Sequence, residues 1–386
     1  MTIVGSGMVG STTALRLLDE GIADALVMVD VVEGLAKAVA LDLAQSAPLR
    51  GHTVDIVGGS DYGPTAGSDL VIVTAGVPRQ PGQSRADLLS TNSDIVRGVV
   101  EEIATRCPDC VLIMVTNPLD EMTTLAWHVS GFPSERVVGM AGALDTSRFR
   151  YFVAAELGTT PDRVDALVLG SHGETMVPLP RLARASRHPL TQLLSPDRID
   201  ALVERTREAG AEIVSLLPRG SAWMAPSAAI ADMAKAIGRG EHRVISACAY
   251  LRGEYGLSDV YLGVPVRLGR RGVEEIVELP LTEQELSLLQ EAAETVRSRV
   301  ADLDLPPRDS GEERRGADVT PRPAGPGRER GAPTAREPGL REDVRTLRLQ
   351  SRVRRAAEQV LWEGGRPSEG DIEALTRAVL ERMGSG

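Results

Sequence analysis

Over the first 142 residues, short β-branched runs alternate with longer stretches of helical periodicity. Residues 2–4, 26–30, 54–57, 70–74 and 111–116 are compact apolar runs bounded by turn-forming residues, and they predict strands. Residues 8–20, 33–46, 87–106 and 119–129 repeat apolar positions at three-to-four spacing and predict helices; the third is long and places Val and Ile at i, i+3 and i+4. Strand and helix in alternation build a parallel sheet, because parallel neighbours need a crossover long enough to hold a helix. The order is that of a doubly wound α/β domain.

From Asp145 the texture shifts to longer helices and shorter strands, the pattern of a second α/β (α+β) domain. An apolar strand is expected over 164–169, Ser195 is a predicted N-cap ahead of Pro196, and Thr282 opens a capping box with Glu285. Leu289, Ala292, Val296, Val300 and Leu303 form the stripe of a closing helix that meets Pro306-Pro307, where helix and globular composition end together. The predicted division is 1–144, 145–304, a linker over 305–340 and a terminal segment over 341–386. Seven prolines and six glycines in the linker cannot bury enough apolar surface to offset the entropy of ordering it, so disorder is expected there. Beyond it, Val344, Leu347, Val353 and Leu361 make one apolar stripe and Ile372, Leu375, Val379 and Met383 a second, behind Ser368. Two short amphipathic helices are expected, each in need of a surface to pack on.

Composition narrows the function classes. The 386 residues, 42% of them hydrophobic, suit two or three domains with full cores, which excludes a disulfide miniprotein and a wholly disordered chain. A formal charge of −11 argues against tracking nucleic-acid phosphates, and the longest apolar runs, 69–77 and 110–115, are far too short to span a bilayer. Lys37 and Lys235 are the only lysines, and arginine makes up the rest of the 43 basic residues, a bias that carries no functional weight. Met1-Thr2-Ile3-Val4 runs straight into a glycine turn without a basic stretch or apolar signal core, so a cytoplasmic location is expected. Cys107, Cys110 and Cys248 are too few for a disulfide framework, and the lone CxxC of the first pair reads as small apolar side chains in a connection, not as a redox or metal pair.

Gly5-Ser6-Gly7-Met8-Val9-Gly10 is a GxGxxG between a strand and a helix, and Asp30 ends the next strand. The first glycine permits a tight turn, the second lets backbone approach a pyrophosphate, and the third lets helix and strand pack closely. The helix N-terminus adds free N–H groups and a positive dipole end. Asp30 accepts from a ribose 2′-hydroxyl and repels a 2′-phosphate, which favours NAD over NADP. The domain is therefore Rossmann-type, with Gly5, Gly7, Met8, Val9, Gly10 and Asp30 against the cofactor. Only Thr2, Ile3 and Val4 precede the turn, where five or six strand residues are usual, so the first strand reads as clipped.

Residues 75–85 leave the predicted fourth strand at its carboxyl end, where open α/β sheets bind ligands, and carry Arg79 and Arg85 on a Pro/Gly-hinged loop. That is the pattern of a lid delivering cations to a site. Thr116-Asn117-Pro118 ends the fifth strand, Leu144-Asp145-Thr146-Ser147-Arg148-Phe149 follows, and Gly170-Ser171-His172-Gly173-Glu174 sets one of five histidines between glycines. Each string alone has an ordinary reading as a solvated loop or a structural histidine. In this order and spacing, together with the glycine turn, they resemble the lactate and malate dehydrogenase family, most of all its lactate-dehydrogenase-like malate dehydrogenases, over residues 2–303.

The resemblance implies that His172 exchanges a proton with the substrate hydroxyl and that Asp145 orients it and stabilises its imidazolium. It further implies that Arg148 anchors the C1 carboxylate with a two-pronged guanidinium and that Arg85, on the lid, polarises the reacting carbonyl. Asn117 is implied on the nicotinamide side of the site, with Asn92 and Thr116 also against the cofactor. Arg79 occupies the lid position where glutamine accompanies pyruvate and arginine accompanies oxaloacetate. A second guanidinium pairs with the C4 carboxylate and would be left unpaired with pyruvate, so malate is the expected substrate. The segment Ser221-Ala222-Trp223-Met224 resembles one packing beside nicotinamide and substrate. Family members assemble as dimers or tetramers, and residues 33–46 and 222–238 are the candidate interfaces, while the extension beyond the closing helix departs from the family.

Three other readings compete. A lactate or other 2-hydroxyacid dehydrogenase is opposed by Arg79. An NAD-dependent glycosidase of similar architecture needs a cysteine and histidine around a divalent metal, and no cysteine lies between Cys110 and Cys248. A non-catalytic NAD-binding scaffold is opposed by the occupation of every chemical position.

Overall fold

The structure, a computed structural model, describes residues 1–78, 85–217 and 220–306. Arg79, most of the predicted linker and the terminal helical pair lie outside the described residues. Strands β1 (Thr2–Val4), β2 (Ala25–Val29), β3 (Asp55–Gly59), β4 (Leu70–Val73), β5 (Val111–Met114) and β6 (Val137–Gly139) pair in parallel in the order β3-β2-β1-β4-β5-β6. Helices α1 (Met8–Asp19), α2 (Glu33–Arg50), α3 (Arg85–Arg106) and α4 (Leu119–Ser130) lie in the connections between them. Successive strand residues point to opposite faces, so Ile3, Met28 and Ile72 enter one core and Val4, Val29 and Val73 the other.

β1 is three residues long, as the sequence indicates, but its ladder reaches one residue further: Val27 N–H donates to the Met1 carbonyl, and the Met1 amine donates to the Ala25 carbonyl at 2.8 Å. α2 runs past the predicted end at Ser46, through Pro48, and stops at Gly51, whose φ of +73° provides the left-handed cap.

The second half begins with α5 (Ala141–Glu156), which straddles the predicted border at 144. There follow β7 (Val164–Asp165), β8 (Val168–Gly170), β9 (Met176–Pro178), β10 (Arg184–Ala185), β11 (His188–Pro189), α6 (Leu190–Leu193), α7 (Pro196–Leu216), α8 (Met224–Arg239), β12 (Arg243–Arg252), β13 (Ser258–Gly269), β14 (Gly272–Ile276) and α9 (Glu283–Val300). The long β12–β13 hairpin continues the first sheet: β12 joins β6 through Cys248 opposite Gly139, and β13 carries β8 through Gly263 opposite Gly170. Both crossings need glycine. A Cβ on Gly139 would lie 2.8 Å from the Cys248 Cβ, and one on Gly263 would lie 2.4 Å from the Gly170 carbonyl oxygen.

Two local expectations, the strand over 164–169 and the reach of the closing helix, are corrected. The apolar run 164–169 is two strands, because β7 pairs in a separate sheet, β11-β10-β7, while β8 joins the large one; between them Thr146 Oγ1 accepts the Val168 N–H at 3.1 Å. Ser195 stands at the N-cap position of α7 as expected, without a side-chain cap bond, and the fixed φ of Pro196 opens the helix. Leu303 lies past the end of α9 and packs with Leu305 onto the core beneath α3 and α4. The capping box is present: Thr282 Oγ1 accepts from Glu285 N–H and Glu285 Oε2 from Thr282 N–H. Among the described residues, no helix is long and apolar enough to cross a membrane.

Candidate active site

The turn after β1 is built as its glycines require. Gly5 has a φ of +102° and is packed against Thr74, and a Cβ on Gly10 would lie 1.9 Å from the Gly5 carbonyl oxygen. Gly7 differs: a Cβ there meets nothing within 4 Å, so the middle glycine faces open space at the N-cap of α1. No side chain caps this helix, which leaves first-turn N–H groups without helical acceptors, and the buried Ser6 hydroxyl has no hydrogen-bond partner. A dinucleotide pyrophosphate fits this open, donor-rich cradle. Asp30 sits at its edge and ties the end of β2 to the turn, one oxygen accepting Ser6 N–H at 2.7 Å and the other Val32 N–H at 2.9 Å. A carboxylate has lone pairs beyond those two, so it remains able to accept from a ribose hydroxyl.

His172 lies on the β8–β9 turn. Gly170 (φ +85°) and Gly173 (φ +141°) reverse the chain on either side, and Ser171 Oγ lies 2.5 Å from Thr175 Oγ1 across it. The turn delivers the imidazole to α5, where Nδ1 is 2.8 Å from Asp145 Oδ2. An ionised carboxylate only accepts, so Nδ1 is the donor and Nε2 is left for a substrate. Burial works to lower the imidazole pKa, but the charge and hydrogen bond of Asp145, aided by Asp120, outweigh it and hold His172 above the ordinary histidine value. Asp145 is itself only 2% exposed, so its field acts with little screening by water.

Arg148 follows one turn later on the same helix. Its Nη1 lies 3.5 Å from Asp145 Oδ1, and among the described residues its buried Nε has no hydrogen-bond partner. Burial pulls the guanidinium pKa down despite Asp145, although such a group stays protonated. A buried cation with uncommitted donors beside a histidine is a receptor for a carboxylate.

Asn117 is exposed at the end of β5, before a cis peptide to Pro118. Asn92, on α3, is buried and braces two loops: its Nδ2 donates to the carbonyls of Asn117 at 2.6 Å and Val77 at 3.2 Å, and its Oδ1 accepts Val77 N–H at 2.9 Å. Thr116 Oγ1 donates to the Ala75 carbonyl at 2.7 Å. These bonds hold the base of the predicted lid against the end of β5. Arg85 is the first residue of α3.

Two residues that the sequence reading did not single out stand behind the pair. Asp120, 3% exposed on the first turn of α4, accepts the backbone N–H of His172 at 2.8 Å and so pins the histidine turn to the Rossmann half. Burial, reinforced by the neighbouring Glu121 charge, pushes its pKa up to about 6, and the Cys248 thiol and His172 resist that rise. Glu121 is 2% exposed. Two adjacent acids one residue after Thr116-Asn117-Pro118, in the first turn of the helix, are the signal that could have found them. The thiols of Cys107, Cys110 and Cys248 are free and buried, and burial pushes those of Cys110 and Cys248 up.

Comparison with known proteins identifies the family. The family model described as "lactate/malate dehydrogenase, NAD binding domain" matches residues 1–139, and that described as "lactate/malate dehydrogenase, alpha/beta C-terminal domain" matches residues 142–303. The malate dehydrogenase of Thermomicrobium roseum is 52% identical over 300 residues, covering 78% of this chain and 96% of the relative; that of Roseiflexus castenholzii is 49% identical over 303 residues, covering 78% and 98%. Among solved structures, the malate dehydrogenase of Salinibacter ruber superposes with a TM-score of 0.75 at 46% identity, over 78% of this chain and 96% of that one. The lactate dehydrogenase of Cryptosporidium parvum, solved with lactic acid and nicotinamide adenine dinucleotide, superposes with a TM-score of 0.76 at 38% identity, over 79% and 98%. With its Rossmann-type half and its α/β C-terminal half both matched, the chain belongs to the lactate/malate dehydrogenase family.

Proposed function

We propose that this chain is an NAD-dependent malate dehydrogenase, interconverting (S)-malate and oxaloacetate in the cytoplasm as a step of the tricarboxylic acid cycle. The observation that carries the reading is the placement of a carboxylate-backed histidine, His172 with Asp145, beside a buried arginine with uncommitted donors, Arg148. Bound at the glycine turn, the nicotinamide cofactor supplies the hydride chemistry. The chain's own residues do the rest. Arg148 holds the C1 carboxylate and fixes the reacting carbon. His172, protonated, gives its Nε2 proton to the carbonyl oxygen during reduction, and Asp145 stabilises the imidazolium before that transfer; in oxidation the neutral ring takes the proton back. Arg85 polarises the carbonyl when the lid excludes water, and Asn117 orients the nicotinamide side.

Malate is favoured over lactate by Arg79, whose guanidinium pairs with a C4 carboxylate, and by the names of the relatives quoted above. α2 supports an oligomer: Leu35, Leu41 and Leu49 are exposed along it, whereas most of α8 is buried within the chain against α1. The test is NADH oxidation with oxaloacetate and with pyruvate near neutral pH, alongside Arg79→Gln. Oxaloacetate preferred by orders of magnitude in kcat/KM, with the preference collapsing in the variant, is the expected result. Equal or greater use of pyruvate by the unaltered chain overturns the substrate assignment.

A further inference from the structure

Glu121 is a carboxylate almost wholly removed from water, next in sequence to the equally buried Asp120. Buried charges persist when they are paired or held by dipoles. Asp120 has the N–H of His172, and both acids have the N-terminal dipole of α4. For Glu121 the nearby cation is Arg299, on the last turn of α9, with Nη1 3.6 Å from Oε1. That separation is too long for a hydrogen bond, and among the described residues Oε1 has no hydrogen-bond partner, so the interaction is one of charge. Charge is what this corner needs, because Glu121 and Asp120 repel one another and Asp120 is the group that grips the catalytic turn.

We infer that Arg299, on the last turn of the closing helix, is a positioning residue for His172: it compensates the buried Glu121 charge beside Asp120, the carboxylate that holds the histidine turn. The chain of contacts runs from α9 through the first turn of α4 to the β8–β9 turn. The groups around it are few. Asp120 faces Glu121, the Cys248 thiol of β12 and His172; Glu121 faces Asp120, Cys248 and Arg299; His172 faces Asp145 and Arg148 of α5 as well as Asp120. With Arg299 neutralised, the adjoining acids lose their cation and the pair takes up a proton more readily, which reduces the negative charge that favours the His172 imidazolium. With Glu121 neutralised as well, the repulsion is gone and Asp120 regains its charge.

The inference rests on His172 being the proton-transfer group, and its test includes a readout that does not depend on turnover. The imidazole of His172 would be titrated by NMR in histidine-labelled protein, its signal assigned by its loss in His172→Gln, in the unaltered chain and in Arg299→Met, Glu121→Gln and the double variant. The expected result is a fall of about half a unit or more in the His172 pKa in Arg299→Met, with a parallel shift in the pH profile of kcat/KM and little change in KM, and recovery in the double variant. Arg299→Lys, which keeps the charge, should titrate as the unaltered chain does. An unchanged His172 titration in a folded Arg299→Met protein, or a double variant shifted as far as Arg299→Met, overturns the inference. Should Arg299→Met not fold, Arg299→Gln provides the same comparison. Failure of the proposed reaction would instead show as absence of oxaloacetate turnover by the unaltered chain, and would leave the NMR result to stand by itself.

Discussion

Asp145 Oδ2 lies 2.8 Å from Nδ1 of His172, a residue 27 positions further along the chain and on a different element. The pair is coupled by a charge-assisted hydrogen bond in a largely buried setting, and it holds the histidine pKa above its ordinary value.

The pH dependence of the reaction follows from that pair. Reduction needs protonated His172, so kcat/KM for oxaloacetate should fall as pH rises through the elevated histidine pKa, and kcat/KM for malate should rise over the same interval. Asp145→Asn should move both midpoints to lower pH and reduce kcat by roughly 10²- to 10⁴-fold. The sign carries over to stability. A raised histidine pKa stabilises the fold fully below the unfolded value of about 6.5, and that contribution is lost as pH rises through the folded value. Denaturant titrations across this window should lose that slope in Asp145→Asn.

The glycine turn predicts a contrast between two neighbours. Gly10→Ala places a methyl group 1.9 Å from the Gly5 carbonyl oxygen, so it should destabilise the fold by about 1–3 kcal/mol or more, read as a lower Tm. Gly7→Ala meets nothing within 4 Å and should leave Tm unchanged while raising the Kd for NADH, because the methyl occupies space needed by the pyrophosphate. Equal loss of Tm in both variants would show that Gly7 is there for the turn alone.

Arg148→Lys keeps the charge and removes the planar fork. Loss of one charge-assisted bond of about 1.5–3 kcal/mol should lower kcat/KM for oxaloacetate roughly 10- to 150-fold, mainly through KM, with NADH affinity unchanged. A variant with unaltered KM would place the carboxylate elsewhere.

Much of the architecture was legible because its determinants are local. Alternating apolar periods mark β1 to β5 and α1, α3 and α4 to within two residues and the start of α2, and the capping box at Thr282 appears as written. The misreadings also have local causes. Residues 164–169 satisfy the strand pattern, and only the neighbours available on each side divide them between two sheets. α2 passes Pro48 because the stop comes from the left-handed Gly51, a more decisive signal than the last apolar contact. At the site, the Gly-flanked histidine and the Asp-x-x-Arg spacing were visible, whereas nothing local sets Asp120 and Glu121 apart from the acids common in the first turn of a helix.

What the sequence determined by itself is everything that short-range sterics and periodicity control: which segments extend, which coil, where glycine must turn the chain and which residue types stand ready for chemistry. What only the tertiary structure decided is which of those residues meet. Asp145 reaches His172, Asp120 takes its backbone N–H, Asn92 joins two loops, and Arg299 comes to Glu121 from α9, 178 positions further along the chain. These are pairings of polar groups across elements, and their energies depend on burial and on distances of a few ångströms, quantities that exist only after the sheet and its helices have packed.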